Sequence, residues 1–213
     1  MSLTVNIVSY RYGHLAAHAI ESVLSQTLQV GVKIRFFDDG AGDCGHLSRL
    51  YPDVEVIERE RNLGVVASFQ DALDRVETDR CLNLGADNWL RPDTLERLDA
   101  CPEDIVSYDI CITGPPLLAV PFAHRAGASR FPSGFHVWQF RPLNIEQHNY
   151  IHGSSLFNAA LAKRYGYRRS GSGNQQTEED WAMWRDMLRG GATHRHIAEP
   201  MLYYRRHAAN FNP

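Results

Sequence analysis

The 213-residue chain predicts an α/β protein with a Rossmann-like, mostly parallel central sheet that is flanked by helices. Residues 3–84 alternate between short apolar runs rich in β-branched residues and segments whose apolar residues recur at helical spacing. Such alternation produces parallel strands that are joined by right-handed crossovers. Acidic residues follow two of the apolar runs, at the strand ends where these folds bind ligands.

The first half of the chain supplies the regular part of this pattern. Gly31 ends the first predicted helix, and Pro92 opens the last one. Each strand is predicted from a short run that favours β-structure, and each helix from its apolar spacing. The predicted strands are 3–10, 32–37, 54–58 and 80–84. The predicted helices are 15–27 and 65–76, with one short helix through residues 47–50 and another through Leu95 and Leu98.

The second half is less regular. Residues 113–150 are rich in proline, glycine, histidine and aromatic residues, which predicts a partly irregular segment of the kind that forms lids and binding loops. His194 and His196 share one face of an extended segment and are predicted to lie on a solvated surface. The other predicted elements are strands at 104–111 and 149–157, helices at 159–165 and 178–189, a mobile loop at 168–176, and two extended segments at 194–197 and 201–206.

Composition excludes several classes of protein. The net charge of −3 argues against a general nucleic-acid binder, which would carry a basic excess. The four cysteines have no C-x-x-C spacing, so they indicate neither a zinc knuckle nor a redox pair, and free thiols fit a reducing, cytoplasmic location. No signal peptide or membrane span is predicted, which leaves peripheral contact with a membrane open. We expect a single domain over residues 1–213.

Two strand ends carry acidic residues that suit a ligand. Asp38 and Asp39 follow the second strand, where paired carboxylates can hydrogen-bond a base edge or a ribose, or form a solvated turn. Asp87 follows the fourth strand. One carboxylate can complete the coordination of a divalent ion that phosphates also bind, and the alternative is again a turn.

Two further groups of residues lie near the carboxyl end of the chain. Glu179 and Asp180 begin a predicted helix, where acids favour the helix dipole, and one of them could instead remove a proton from a hydroxyl group. Arg206 can stabilise a departing diphosphate, and His207 can bind a metal ion. The alternative for these last two residues is the surface of an edge strand.

Five short motifs follow one another along nearly the whole chain in an order that resembles glycosyltransferase family 2, whose members have the GT-A fold. The segment around Ser9 and the helix over residues 21–27 are also similar to that family. The motifs are Asp38-Asp39-Gly40, Asn62-x-Gly64, Ala86-Asp87-Asn88 with Pro92-Asp93, Glu179-Asp180-Trp181 with Trp184, and Glu199-Pro200 with Tyr204-Arg205 and His207.

The resemblance implies a role for each matching position. Asp87 would hold Mn²⁺ or Mg²⁺ on the donor diphosphate, and His207 would complete the metal site. Asp180 would be the catalytic base, with Glu179 as its neighbour. Arg206 lies outside the matched positions, and it is expected from its charge to offset that of the leaving diphosphate. The residues that would form the nucleoside pocket are Ser9, Asp38, Asp39, Asn62 and Gly64.

The resemblance also implies an activity. We expect an inverting, metal-dependent transferase that moves a sugar from a nucleotide-diphospho-sugar, with a UDP-sugar as the expected donor, to a hydroxyl group of a glycan or glycoconjugate. Residues 1–100 would bind the donor, and residues 101–213 would bind the acceptor and supply the base. Such a protein would act in polysaccharide or glycoconjugate synthesis.

The chain departs from the family pattern at the metal motif. Gly85 replaces the usual first acid, and Asn88 replaces an acid that often follows the second. Two alternatives therefore stay open. One is a non-catalytic nucleotide-sugar-binding module, and the other is a sugar-nucleotide pyrophosphorylase, for which Arg11-Tyr12-Gly13 is a poor substitute for a glycine-rich, basic phosphate loop.

Overall fold

A computed structural model of the chain describes residues 2–28, 31–130, 135–168 and 179–210. Within these ranges ten strands form one sheet, and seven helices pack around it. The strands are β1 (Leu3–Ser9), β2 (Val32–Asp38), β3 (Glu55–Glu58), β4 (Arg80–Gly85), β5 (Trp89–Leu90), β6 (Ile105–Thr113), β7 (Ser129–Arg130), β8 (His136–Trp138), β9 (Leu156–Asn158) and β10 (His194–Arg205). The helices are α1 (Ala16–Leu24), α2 (Leu47–Leu50), α3 (Val65–Asp74), α4 (Thr94–Asp99), α5 (Pro116–Arg125), α6 (Ala159–Tyr165) and α7 (Glu179–Arg189).

The order of strands in the sheet is β3-β2-β1-β4-β9-β6-β10-β5, and the hairpin of β7 and β8 is attached through β8 to β6. The long ladders, β1 with β2 and with β4, and β6 with β10, are parallel. The antiparallel ladders contain only two or three residue pairs each. The predicted mixed α/β fold with a mostly parallel sheet is therefore confirmed.

The central strands are buried on both faces, as is typical of parallel sheets that are covered by helices. Val5 and Ile7 in β1 and Leu82 and Leu84 in β4 have no exposed surface. Helices α1 and α4 cover one face of the sheet, where most of the core lies, and α6 and α7 form a second cluster around Trp184. Burial on both faces holds β1, β2 and β4 in register, so their carboxyl ends meet at one edge.

The second half differs from the sequence prediction in several elements. The segment predicted as partly irregular contains α5, which begins at Pro116 and has Pro121 inside it. Residues 149–157 form a strand only at its end, in β9. The two predicted extended segments are one strand, β10, whose register shifts around Pro200 because proline cannot donate to the ladder. Of the mobile loop predicted at 168–176, residues 169–176 lie outside the described residues.

The prediction for His194 and His196 is wrong. Both rings turn toward β6, where His194 Nε2 lies 2.8 Å and His196 Nδ1 lies 2.9 Å from Ser107 Oγ. His196 Nε2 also lies 3.1 Å from a carboxylate oxygen of the buried Asp109. The histidines are therefore part of a polar network beneath the surface, because β6 supplies hydrogen-bond partners that the sequence pattern of β10 does not reveal.

Candidate functional site

The carboxyl ends of β1, β2 and β4 lie side by side. The register pairs Ser9 with Asp38 and Val8 with Gly85, so the two acidic strand ends flank the end of β1. The backbone N–H of Asp39 donates to the carbonyl of Ser9 at 2.8 Å. The ladder therefore brings the residues predicted for the nucleoside pocket to the same edge as the residues predicted for the metal.

Asp38 shapes the loop that follows β2. Its carboxylate accepts the backbone N–H groups of Ala41 and Gly42 at 2.8 and 2.9 Å, which is the turn geometry that the sequence left as an alternative. Gly40 has φ +79°, and a Cβ there would lie 2.2 Å from the carbonyl carbon of Arg61. The loop after β2 and the loop after β3 thus pack backbone against backbone, a contact that only glycine permits.

Asp39 is held by an arginine that was not among the predicted site residues. Arg59 Nη1 donates to the Asp39 carboxylate at 2.9 Å, and both side chains are almost fully buried. The same guanidinium reaches Asp71 and Ser68 on α3 and lies 4.8 Å over the Phe37 ring. Arg59 follows β3 directly, but no sequence spacing indicates which of several acids it contacts.

The Asn62–Gly64 loop is tied to the same carboxylate. The backbone N–H of Leu63 donates to Asp39 Oδ1 at 3.2 Å, and Asn62 Oδ1 accepts the N–H of Gly64 at 2.6 Å. Gly64 has φ +78° and immediately precedes α3. Asn62 and Gly64 therefore lie beside Asp39, as they would in one nucleoside pocket. The side chain of Asn62 is exposed.

Asp87 and His207, which are 120 residues apart, lie next to each other. His207 Nε2 is 3.2 Å from Asp87 Oδ2, and Asn210 Nδ2 donates to the same oxygen at 3.1 Å. Tyr12 packs edge-on against the His207 ring. Carboxylates and imidazoles are both common ligands of divalent metal ions, so the residues present fit the metal role.

Gly85 leaves room that neighbouring side chains use. A Cβ at Gly85 would lie 2.8 Å from Asp87 Oδ1 and 2.9 Å from Asn88 Nδ2. Asn88 is anchored from its other end, because its Oδ1 accepts the backbone N–H of Arg205 at 3.0 Å. Asn88 therefore links the β4 end to the segment that carries His207, and the absence of a side chain at residue 85 is part of that geometry.

A second cluster of potential metal ligands lies in the loop after β2. Ligand atoms of Asp38, Asp43 and Cys44 lie within 4.8 Å of one another. Each group already has a protein partner, since Asp43 accepts the N–H of Gly13 at 3.0 Å and the Cys44 thiol donates to Asp43 at 3.1 Å. Burial raises the pKa of Cys44 far above its usual range, which keeps the sulfur protonated and makes it a poor ligand.

Asp180 lies at the start of α7 and is nearly buried. Its Oδ1 accepts Asn149 Nδ2 at 3.2 Å and the backbone N–H of Trp181 at 2.6 Å. A Cβ at Gly153 would lie 3.1 Å from Asp180 Oδ2, so that glycine lets the chain approach the carboxylate closely. Glu179, its neighbour in the sequence, is buried to the same extent. Asn149 was not among the predicted site residues.

A cavity of about 730 Å³ joins the β4 end to Asp180. Gly85 and Asn88 line it, and so do Asp180 and Asn149. Much of its remaining wall is aromatic. The rings that line it are those of Phe69, Phe122, Trp138, Phe140, Trp181 and Tyr204. Several of them belong to the segment 113–150 that the sequence predicts to form a binding loop.

Arg206 lies behind this aromatic wall. It is buried, its guanidinium carbon lies 4.2 Å from the centre of the Phe122 ring, and its backbone N–H donates to Thr113 at 2.7 Å. The structure brings Arg206 next to His207 along β10 and its extension, but the side chain packs on α5. Phe122, on which the guanidinium packs, lines the cavity, whereas Arg206 is not among the residues that line it.

The polar network of β6 supports the same wall. Asp109 accepts the backbone N–H of Phe140 at 2.9 Å, so the histidine network under β10 also fixes a cavity-lining residue. His152 Nε2 donates to the carbonyl of Tyr108 at 3.0 Å. Burial lowers the pKa of His152 to about 3 and that of His194 to about 4, so both imidazoles are neutral at pH 7.

Residues 4–166 match the family described as Glycosyl transferase family 2. No curated protein matches the chain. None of the helices in the described ranges has the length and apolar character needed to cross a membrane.

The fold is similar to those of solved glycosyltransferase structures. S. aureus TarS 1–349 has a TM-score of 0.69 at 13% identity, and its complex with UDP-GlcNAc has a TM-score of 0.70 at 14% identity. The mannosyltransferase PcManGT from Pyrobaculum calidifontis, in complex with GDP-Man and Mn²⁺, has a TM-score of 0.62 at 15% identity. In the same order, the similarities cover 96%, 99% and 95% of this chain. They cover 60%, 60% and 56% of the other chains, so this chain spans little more than half of their length.

Proposed function

Because the chain belongs to glycosyl transferase family 2 and has the GT-A fold, we propose that it is an inverting enzyme that transfers a sugar from a UDP-sugar to a hydroxyl group of a glycan or glycoconjugate. One observation carries the proposal. The cavity is lined both by Gly85 and Asn88, which flank Asp87 in the sequence, and by Asp180. A sugar in that cavity would have its diphosphate at one end and a carboxylate at the other.

The donor half is proposed from the strand ends. Ser9, Asp38 and Asp39 surround the end of β1 and β2, and the Asn62–Gly64 loop adjoins them through Leu63. Complexes of TarS with UDP and with UDP-GlcNAc support a uridine nucleotide for this pocket. The carboxylates would accept N–H and O–H groups of the base and ribose, because an ionised carboxylate only accepts hydrogen bonds.

Asp87 and His207 are the residues that would hold the metal ion. A carboxylate and an imidazole can both bind a divalent ion, and Mn²⁺ is the ion proposed because it is present in the similar PcManGT complex. When bound, the ion neutralises charge on the diphosphate. Arg206 is the candidate to offset the same charge, and its position behind Phe122 restricts it to a longer-range effect.

Asp180 is the proposed general base. Its Oδ2 faces Gly153 in the cavity wall, while Asn149 and the Trp181 N–H bind Oδ1 and fix the plane of the carboxylate. A carboxylate held in this way accepts the proton of the acceptor hydroxyl. The hydroxyl oxygen attacks the anomeric carbon at the same time, and the bond between that carbon and the diphosphate breaks. Glu179 is the proposed neighbour in the same motif. The attack comes from the face opposite the diphosphate, which inverts the configuration.

The donor is identified first, by thermal stabilisation. A ligand that binds the native state raises the melting temperature, so UDP-, GDP- and dTDP-sugars are compared with and without Mn²⁺. We expect UDP-sugars to stabilise the protein, and to do so more strongly with Mn²⁺. In Asp87→Ala the extra stabilisation by Mn²⁺ is expected to disappear. Equal affinity of both proteins for UDP plus Mn²⁺ in calorimetry would contradict the metal role of Asp87.

Transfer and hydrolysis of the stabilising donor are then measured. Asp180→Asn keeps the size and most hydrogen bonds of the side chain but cannot accept the proton, so we expect kcat to fall by a factor of about 10² to 10⁴ with donor binding retained. Asp186→Asn in the same helix is the matched control. Donor binding without turnover in the wild-type protein would favour the second candidate, a non-catalytic nucleotide-sugar-binding module. Gly85, which stands where the family usually has an acid, is the observation behind that candidate.

The four cysteines support the expected reducing, cytoplasmic location. All of them are buried free thiols. In an oxidising compartment, paired cysteines are the more common arrangement.

A further inference from the structure

The segment from residue 110 to residue 145 differs in charge from the rest of the chain. It contains no aspartate or glutamate, and it contains Arg125, Arg130 and Arg141 together with two histidines. The whole chain has a net charge of −3. The acidic residues are therefore concentrated elsewhere, and this segment is locally positive.

The same segment exposes apolar side chains. Six large hydrophobic side chains are exposed in the described ranges, and three of them, Leu117, Phe135 and Leu143, belong to this segment, with exposed fractions of 88%, 47% and 58%. Leu117 is the most exposed of the six. Large apolar side chains cluster on a surface where another apolar phase or partner covers them.

Helix α5 separates an inner face from an outer one. Ala119 and Ala123 are buried, and Phe122 packs on Trp138 and Tyr204. Leu117, Pro121 and His124 recur at helical spacing on the opposite side and are exposed. The helix therefore lies flat on the protein, with Leu117, Pro121 and His124 turned outward.

The basic residues lie at the carboxyl end of this helix. The His124 ring is 6.0 Å from the ring of His136, which pairs with Arg130 in the β7–β8 hairpin. Phe135 directly precedes His136 and is exposed. We define the docking face as Leu117, Pro121, His124, Arg130 and Phe135.

We propose that the docking face binds the surface of a lipid bilayer that contains anionic lipids. Leu117 and Phe135 would enter the boundary between headgroups and acyl chains, while Arg130 and His124 would meet the anionic headgroups. Charge complementarity together with exposed apolar side chains favours a bilayer over a soluble polyanion, since a polyanion offers nothing that would bury Leu117. The attachment is peripheral and reversible, because the buried apolar surface is small.

Docking would bring the membrane to the cavity. Phe122 lies on the inner side of α5 and lines the cavity, so the bilayer would lie one helix away from the aromatic wall. The consequence for the substrate rests on the proposed function: the acceptor hydroxyl would belong to a glycan that is carried by a lipid. Docking itself requires no activity, and it is tested without a donor or an acceptor.

The test is co-sedimentation with vesicles. The protein is mixed with phosphatidylcholine vesicles that contain either no phosphatidylglycerol or about 30% of it, near physiological ionic strength. We expect binding to the anionic vesicles only. Leu117→Asp is expected to lower the bound fraction at least fivefold, and Arg130→Glu is expected to lower it as well.

Leu50→Asp is the matched control. Leu50 is 63% exposed on α2, which packs against β3 at the far edge of the sheet, so this variant adds the same charge away from the docking face and is expected to bind like the wild type. Equal melting temperatures exclude unfolding as the cause of a loss. No binding to anionic vesicles, or equal losses in Leu117→Asp and Leu50→Asp, would overturn the proposal. The proposal would also be overturned if Leu117→Asp bound anionic vesicles as well as the wild type does and was retained on immobilised polyphosphate. The binding would then be to anionic charge alone.

Discussion

At the residue scale, Gly85 decides how the metal motif is built. The usual acid is missing there, and the space is filled by the ends of the Asp87 and Asn88 side chains. Asn88 connects β4 to the backbone of Arg205, two residues before His207, so the segment that carries His207 is held at the end of β4. A side chain at residue 85 would have to displace one of these two groups.

Gly85→Ala tests this role. We expect Asn88 or Asp87 to rotate away, so the affinity for UDP plus Mn²⁺ falls about tenfold, while the free energy of unfolding falls by only about 1 kcal/mol because both obstructing atoms are side-chain ends. Calorimetry and urea unfolding measure the two quantities. The control is Gly45→Ala, whose Cβ would lie 3.4 Å from Glu58 Oε2 in an ordinary contact. Unchanged donor affinity in Gly85→Ala would contradict this account.

His152 makes the stability depend on pH. Burial lowers its pKa to about 3, so the folded protein keeps the ring neutral, whereas the unfolded chain binds a proton below its ordinary pKa of about 6.5. The unfolded state therefore binds more protons as the pH falls from about 6.5 to about 3, and the free energy of unfolding decreases over that range by about 1.4 kcal/mol per pH unit for this group.

Urea unfolding at pH 7 and pH 5 measures this dependence. His152→Gln removes the titrating group, so the variant is expected to lose less stability than the wild type between the two pH values, by about 2 kcal/mol. The buried His194, whose pKa is lowered to about 4, continues to titrate in both proteins. The same loss in both proteins would mean that His152 is not the group responsible.

Sequence reasoning named many of the residues at the site but few of their partners. The ordered motifs predicted Asp87 and His207 as one site, and the structure brings them to 3.2 Å. Arg59 and Asn149 escaped prediction because their contacts depend on how loops fold back. An arginine near several acids, or an asparagine in an irregular segment, carries no spacing that identifies its partner.

At the element scale, Arg59 joins the end of β3 to β2 and α3. Its guanidinium binds Asp39, Ser68 and Asp71, so one side chain fixes the position of two loops and a helix. Breaking a buried ion pair by removing one partner leaves an uncompensated charge, which costs about 3 to 5 kcal/mol.

Arg59→Met is expected to lower the free energy of unfolding by about 3 kcal/mol, since among the described residues only the N–H of Leu63 remains as a partner of the Asp39 carboxylate. Arg75→Met is the control. Arg75 also binds Asp71, but its side chain is 50% exposed, and an exposed pair contributes less than about 1 kcal/mol. Urea unfolding compares the two variants with the wild type. A similar loss in both would show that the burial of Arg59 is unimportant.

The helices of the second half show where element prediction fails. α7 and α6 were predicted because their apolar spacing is strong, whereas α5 was not, because three prolines in its neighbourhood argue against a helix. Pro116 is at the first position, where its missing N–H costs nothing. Packing of Phe122 and the two buried alanines supports the rest, which is tertiary information that the local sequence lacks.

At the scale of the whole molecule, the predicted sheet was correct where strands follow one another in sequence and in space. β1 pairs with β2 and β2 with β3, and β4 lies on the other side of β1. The remainder depends on strands of two or three residues, β5, β7, β8 and β9, which are too short to produce a recognisable pattern. The division into a donor half and an acceptor half stays a prediction.

The placement of β9 has a consequence for how the protein is made. β9 lies between β4 and β6 and contributes only three residues, yet it separates the two parallel parts of the sheet. On a ribosome, β1 to β4 can pair once residue 85 has emerged, but β4 keeps an open edge until residue 158 follows. At about 5 to 20 residues per second this interval lasts roughly 4 to 15 s. During that time the nascent chain exposes β4 as an unpaired edge strand, the state in which chaperone binding or aggregation competes with folding.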